Sequence, residues 1–258
     1  NSVDLNRDFV NLTQSESKTL MKVFNKTNPD FCFNLHGQRT IYSAGKMGLP
    51  ATLSFLAPAS DDKGTISKSR ENSMKLIASI NSSMQRDIPN QIGRFDDSFN
   101  INCIGDKLSS LGVPTILFEA GHYPEDYNRN ITRKHILSAI LIALESIVSN
   151  SYDTFLVDDY FNIPENNKDY CDLVIEDVDI IENKNLHKNQ DLVVNFKEIL
   201  KGSKIDFEPE FISYSDSYSA LAHKKISFKS LNFSNPIHFE TINESVQIKN
   251  TLKKLLNM

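Results

Sequence analysis

Apolar residues recur along the first 150 positions with the two spacings that separate helix from strand. Leu20, Val23 and Phe24 follow Thr13-Gln14-Ser15-Glu16, which has the spacing of a capping box, so a helix is predicted over about 14–27. Asn28-Pro29 ends it, because the residue before proline is driven out of the α region. Phe31 to Gly37 is a short apolar run closed by glycine and predicts a buried strand. Met74, Ile77, Ala78 and Ile80 share one face of a helix expected over 67–86. A further helix is expected over 98–111, with Gly112 placed as its C-cap. Val113 to Phe118 reads as a second strand, and 131–149 as a helix apolar enough to be buried. Residues 44–66, punctuated by Gly45, Gly48, Pro50, Pro58 and Gly64, read as a long surface loop.

This order of elements predicts an α/β domain over residues 1–150, a three-layer arrangement with helices on both faces of a sheet. Past residue 151 the pattern changes. Residues 152–167 are aromatic and acidic and read as a linker, with Pro164 inside it. Strand-like segments follow at 173–181 and 191–199, and the Lys201-Gly202-Ser203-Lys204 turn joins the latter to 205–211 as a hairpin. An amphipathic helix is expected over 243–256. Residues 151–258 therefore read as a small β-rich module ending in a helix.

Composition narrows the classes of function. Of 258 residues, 40% are hydrophobic and 24% charged, the balance of an ordinary globular chain. A net charge of -5, with no basic stripe, argues against a nucleic-acid partner, since phosphate contacts need clustered Lys and Arg. Ile136 to Val148, the most apolar stretch, is interrupted by Ser138 and Glu145 and is too short to span a bilayer. Cys32, Cys103 and Cys171 are too few for a disulfide framework or a cysteine zinc site, which leans towards the cytoplasm. The chain opens inside a polar segment, Asn1 to Arg7, as expected of a processed or partial polypeptide.

Four residues draw attention on chemical grounds. His36 and Glu119 each fall where a buried strand gives way to a loop, the edge at which open α/β sheets bind ligands. His36 alone reads either as a hydrogen-bonded edge residue or as a metal ligand. Glu119, half desolvated at a strand mouth, suits a general base or an ion-pair partner. Arg7 offers a planar fork for a carboxylate, to which the Asn6 amide adds a donor, or else it is a surface arginine. His122-Tyr123-Pro124-Glu125 matches His-x-x-Glu, but Pro124 and the loop context keep its two groups off one helical face.

Together these segments resemble the zinc carboxypeptidase family of metallopeptidases, in the family's order. Val3-Asp4-Leu5-Asn6-Arg7-Asp8-Phe9 is similar to its GVDLNRNF motif, and Ser15-Glu16-Ser17-Lys18-Thr19 to the helix start that follows. Phe33-Asn34-Leu35-His36-Gly37 is similar to the strand that delivers the third zinc ligand, and Thr115-Ile116-Leu117-Phe118-Glu119 to the one that delivers the catalytic glutamate. The resemblance implies zinc as cofactor, with His36 as ligand, Glu119 as general base, and Asn6 and Arg7 holding the C-terminal carboxylate of a peptide. The family's first two ligands lie in an upstream His-x-x-Glu, and its loop tyrosine is matched here only by Phe95 and Phe99. The 258 residues by themselves are therefore expected to be inactive. Two other readings share the same motifs: a deacylase of N-acyl amino acids, similar to succinylglutamate desuccinylase and aspartoacylase, and a catalytically inactive relative.

Overall fold

A computed structural model describes residues 3–45, 48–96, 98–218, 220–231 and 233–256. They divide into two units: Asn1–Arg39, Ser43–His122 and Asn130–Asn167 form the first, and Thr40–Tyr42, Tyr123–Arg129 and Lys168–Met258 the second.

The first unit contains, in chain order, α1 (Ser15–Thr27), β1 (Cys32–Gly37), β2 (Ser43–Ala44), β3 (Leu53–Leu56), α2 (Lys68–Met84), β4 (Ile92–Arg94), α3 (Ile104–Ser110), β5 (Thr115–Ala120), α4 (Asn130–Ser149), α5 (Val157–Phe161) and β6 (Asn166–Asn167). Four strands form a mixed sheet in the order β1-β5-β3-β4. β1 runs parallel to β5 and β3 parallel to β4, while β3 is antiparallel to β5. The α/β class expected from the sequence is thus present.

Alternation along β1 divides its side chains between two layers. Cys32 packs with Phe9, Met21, Phe24, Leu108 and Ile104, which belong to α1, α3 and the segments beside them. Phe33 turns the other way and meets Phe118, which meets Phe55, at ring centroids 5.0 and 5.3 Å apart. α2 and α4 pack on each other and on β5 and β3. Gly121, just past β5, is held by its amide to the Thr52 carbonyl. A Cβ there would stand 1.9 Å from the Ala51 carbonyl oxygen, so that crossing admits no side chain.

Three expectations need correction. The stretch 44–66 is not all loop: Leu53 and Phe55 are fully buried in β3, a strand of four residues disguised by the Gly and Pro on either side. The helix expected over 98–111 is only α3, because Asn100 to Cys103 form a turn closed by the Cys103 amide on the Asn100 carbonyl. α4 has the predicted bounds, yet it is not buried all round. Its small residues Ala139, Ala143 and Ser146 face inward, with Ser146 Oγ 2.9 Å from Ser79 Oγ on α2. Leu137, Leu141, Leu144 and Val148 remain exposed. Small residues let two helices approach closely, and that approach decides which side is covered.

Residues 152–167 do not form a bare linker. They fold into a 3-10 turn (Ser151–Thr154), α5 and β6 within the first unit, so the division falls after Asn167 and not near 150. Tyr160 anchors the segment, 2% exposed, with its hydroxyl accepting from the Ala57 amide. The polar spelling around it hides one aromatic anchor.

The second unit is β-rich, with β7 (Tyr170–Glu182), β8 (Asn185–Lys201), β9 (Lys204–Ser215), β10 (Leu221–Ser227) and β11 (Ile237–His238), then α6 (Phe239–Ile242) and α7 (Val246–Lys253). β7, β8 and β9 form two successive hairpins, and β10 and β11 both pair parallel to β7. Leu173 and Ile175, then Val178 and Ile180, face one core with Leu192, Val194 and Phe211. The odd-to-even change of phase coincides with a register irregularity between Ile175 and Val178, where Asp177 takes a φ of 63°. A bulge of this kind returns a strand's apolar set to the same face.

Candidate functional site

Asn6, Arg7, His36 and Glu119 all line one open cavity of about 320 Å³ in the first unit. Its floor is the face of the sheet that carries Asn34 and His36 from β1 and Leu117 and Glu119 from β5. These pair in register, Asn34 with Leu117 and His36 with Glu119. Parallel neighbours stand about 4.8 Å apart and residues two apart share a face, so the imidazole and the carboxylate sit side by side. Ser54 of β3 is the partner of Glu119 on its other side.

One wall is the short 3-10 turn Leu5–Arg7. Asp4 caps it, its Oδ1 accepting from the Asn6 amide at 2.9 Å. Asn6 Oδ1 accepts from the backbone amide of Ile104 at 2.9 Å and so ties the turn to the start of α3. Arg7 Nη1 donates to the Asn6 carbonyl at 2.7 Å and to Cys103 Sγ at 3.0 Å. Arg7 is exposed and lines the cavity, with the Nη1 arm of its guanidinium held by both acceptors.

The second wall is α3 and the segment after β4. Gly105 brings the helix down onto the floor: a Cβ there would meet Pro58 Cγ at 3.2 Å and Asn34 Nδ2 at 3.5 Å. Asp106 lies beside it, nearly buried, its Oδ2 accepting from the Asn100 amide at 3.1 Å. Asp96 and Ser98 complete this side.

The electrostatics favour a neutral imidazole. Desolvation and the neighbouring Arg7 charge hold the His36 pKa below its ordinary value, against a smaller opposing pull from Asp4. Neutral imidazole is the form that donates to a metal. Burial pushes the Cys103 thiol up, with Arg7 opposing, so Cys103 is a neutral hydrogen-bond acceptor for the guanidinium and not a nucleophile.

His122 and Glu125 are not part of this cavity. His122 is buried just after β5 and its carbonyl accepts from Thr52 Oγ1 at 3.0 Å, whereas Glu125 is exposed in a turn at a φ of 61°. The pair lies in irregular backbone, as Pro124 suggested.

Zinc is the cofactor that the family resemblance implies. Among the described residues no group of three or more His, Cys, Asp and Glu could hold a metal ion. The described lining of the cavity supplies one imidazole, His36, with the Glu119 carboxylate beside it. A catalytic zinc requires three protein ligands, so these residues alone do not complete a site.

Asn34, Asp96, Cys103 and Asp106 are lining residues that carried no signal of function in the sequence. Asn34 alone was within reach, since it stands two residues before His36 on the same strand. The chain matches no protein-family model, and no curated protein and no solved structure is significantly similar to it. Among the described residues no helix is long and apolar enough to cross a membrane.

Proposed function

We propose that this cavity belongs to a zinc-dependent hydrolase of the carboxypeptidase type, which cleaves a peptide or amide bond next to a free C-terminal carboxylate. The observation that supports the reading best is convergence. Residues 6, 7, 36 and 119 come from a 3-10 turn and two different strands, yet they line one concavity with the imidazole and carboxylate in register. In this reading Arg7 binds the substrate carboxylate through its planar fork, and Asn6 fixes the turn that aims it. Glu119 takes a proton from the attacking water as the water oxygen bonds to the scissile carbonyl carbon. It returns that proton to the nitrogen as the C–N bond breaks, releasing an amine and a carboxylic acid. His36 would be one ligand of a zinc ion whose other ligands lie outside the residues described. Such an ion, when bound, supplies Lewis acidity and lowers the pKa of water.

A deacylase of N-acyl amino acids is the second reading. Phe95 lines the cavity where the resemblance would expect a loop tyrosine, and that favours small acyl substrates over extended peptides. Both readings need Arg7 for the carboxylate. The test is binding of an N-acyl amino acid and of its carboxamide to the protein and to Arg7→Gln. The free acid should bind about tenfold or more tighter, since a bidentate charge-assisted pair contributes about 1.5–3 kcal/mol. Arg7→Gln should erase the difference. Equal affinity for acid and amide would overturn the assignment of Arg7, and with it both readings.

A further inference from the structure

One rung of the first unit's sheet crosses all four strands in register. His36 pairs with Glu119, Glu119 with Ser54, and Ser54 with Gly93. Leu56, two residues after Ser54 on β3, lines the cavity, so Ser54 belongs to the same face as the imidazole and the carboxylate. Residues directly opposite on neighbouring antiparallel strands hold their Cβ atoms about 4.5–5.5 Å apart. The Ser54 hydroxyl is therefore the next polar group along the rung from Glu119.

Ser54 is fully buried between Leu53 and Phe55, which are buried as completely. A hydroxyl in that position needs a hydrogen-bond partner, and three features together supply one. Asn166 Nδ2 donates to Ser54 Oγ at 2.9 Å, and Asn166 Oδ1 lies 3.2 Å from the same oxygen. Gly93 leaves its place on the rung to that amide, because a Cβ there would collide with Asn166 Oδ1. The pairing of Asn166 with Ala44, and the ion pair of Glu165 with Arg94 at 2.9 Å, fix the backbone from which the amide projects.

A hydroxyl has one proton and two lone pairs. The Asn166 amide N–H occupies one lone pair, which leaves the proton a choice of two acceptors along the rung, Asn166 Oδ1 and the Glu119 carboxylate. An ionised carboxylate is the stronger acceptor, and it loses that advantage once protonated. We infer that Ser54 and Asn166 are positioning residues for Glu119: Asn166 holds the Ser54 oxygen, and the hydroxyl turns its proton to the carboxylate while that is ionised and back to Asn166 Oδ1 when it is protonated. Ser54 keeps its own proton throughout, and only a hydrogen bond changes partner. The inference rests on the general-base reading of Glu119 and adds what steadies that base through the two states its reaction needs.

Titration of the Glu119 carboxyl carbon by NMR in the 258-residue protein, assigned with Glu119→Gln, reads the link directly. Ser54→Ala should lower the acid dissociation constant of Glu119 about tenfold, the effect of one hydrogen bond lost from a carboxylate. Asn166→Ala should lower it by about threefold, because the hydroxyl remains but is no longer aimed. Ser54→Thr keeps a hydroxyl at the same place and should restore the parent value. A Glu119 titration unmoved by Ser54→Ala overturns the inference. An equal change in Ser54→Ala and Ser54→Thr also overturns it, because packing and not the hydroxyl then sets the titration. Binding of an N-acyl amino acid and of its carboxamide to the same samples separates the two failures. A kept preference for the free acid leaves the hydrolase reading standing when the inference falls, and the absence of that preference overturns both.

Discussion

His36 and Arg7 meet the same cavity, and their charges oppose each other there. Desolvation is the main reason the imidazole pKa lies below its ordinary value, and the Arg7 charge is the next. The sign follows: a depressed histidine stays neutral as pH falls through about 6.5, where an unconstrained histidine would protonate. Removing the guanidinium should therefore raise the His36 pKa, while the remaining desolvation keeps it under the ordinary value. A pH titration of the His36 ring protons by NMR, in the protein and in Arg7→Gln, reads this directly. An unchanged pKa in the variant would mean that Arg7 does not act on the imidazole. Asp8 is a second residue whose importance was hidden. It follows directly on Arg7, yet its task is structural. Oδ1 accepts from Thr13 N and Thr13 Oγ1, and Oδ2 from Gln14 N, at 2.8–2.9 Å, just ahead of α1. Burial pushes the Asp8 pKa up, but these hydrogen bonds outweigh it and hold the carboxyl well below the usual range. A depressed carboxylate contributes stability that is full above its ordinary value of about 3.9 and is lost only as pH falls on through the lowered folded value. Asp8→Asn should lower the urea midpoint at pH 7, and the gap to the parent should begin to narrow only below about pH 4 and keep narrowing as the pH falls further.

At the scale of elements, the sequence was most legible where one physical signal dominated. α1, β1, α2 and β5 follow their predicted bounds within a few residues, because each has an uninterrupted period or a clear stop. Thr13 and Glu16 suggested a capping box, but the side chain that satisfies the amides before α1 is Asp8, five and six residues away, a loop contact with no local pattern. β3 and β4 went unseen because strands of four and three residues give period-2 alternation too little length. The site shows the same division. His36 and Glu119 were readable as strand ends, but their pairing in register was not, since nothing local specifies that β1 and β5 are neighbours. Asp106 and Asp96 could not be found at all: each is an ordinary acidic residue until α3 and the end of β4 are brought to the same cavity.

The two units are built differently. The first unit encloses a mixed sheet among helices, and the second builds on two long hairpins and buries polar groups beside its apolar core. Asp172 is 1% exposed, and its carboxylate accepts from the Tyr127 hydroxyl at 2.9 Å and the Phe196 amide at 2.7 Å. Tyr127→Phe removes one of those donors and should cost about 1–3 kcal/mol, the penalty for a buried acceptor that loses its partner. Burial, then the Asp172 charge, push the Tyr127 pKa well above its ordinary value. A raised folded pKa gives stability that is complete below about 10 and declines as pH rises beyond it. The urea midpoint of the parent should accordingly fall at alkaline pH more steeply than that of Tyr127→Phe.

In the proposed function the cavity at the ends of β1 and β5 is a metallohydrolase site to which these residues contribute one imidazole. Zinc titration of the purified protein, followed through the His36 ring resonances and by metal content after dialysis, tests it most directly, with His36→Ala as control. The expected result is weak, saturable binding that shifts the His36 signals, is removed by dialysis and disappears in His36→Ala. Zinc that leaves the His36 signals unmoved, or that binds equally to His36→Ala, would contradict it.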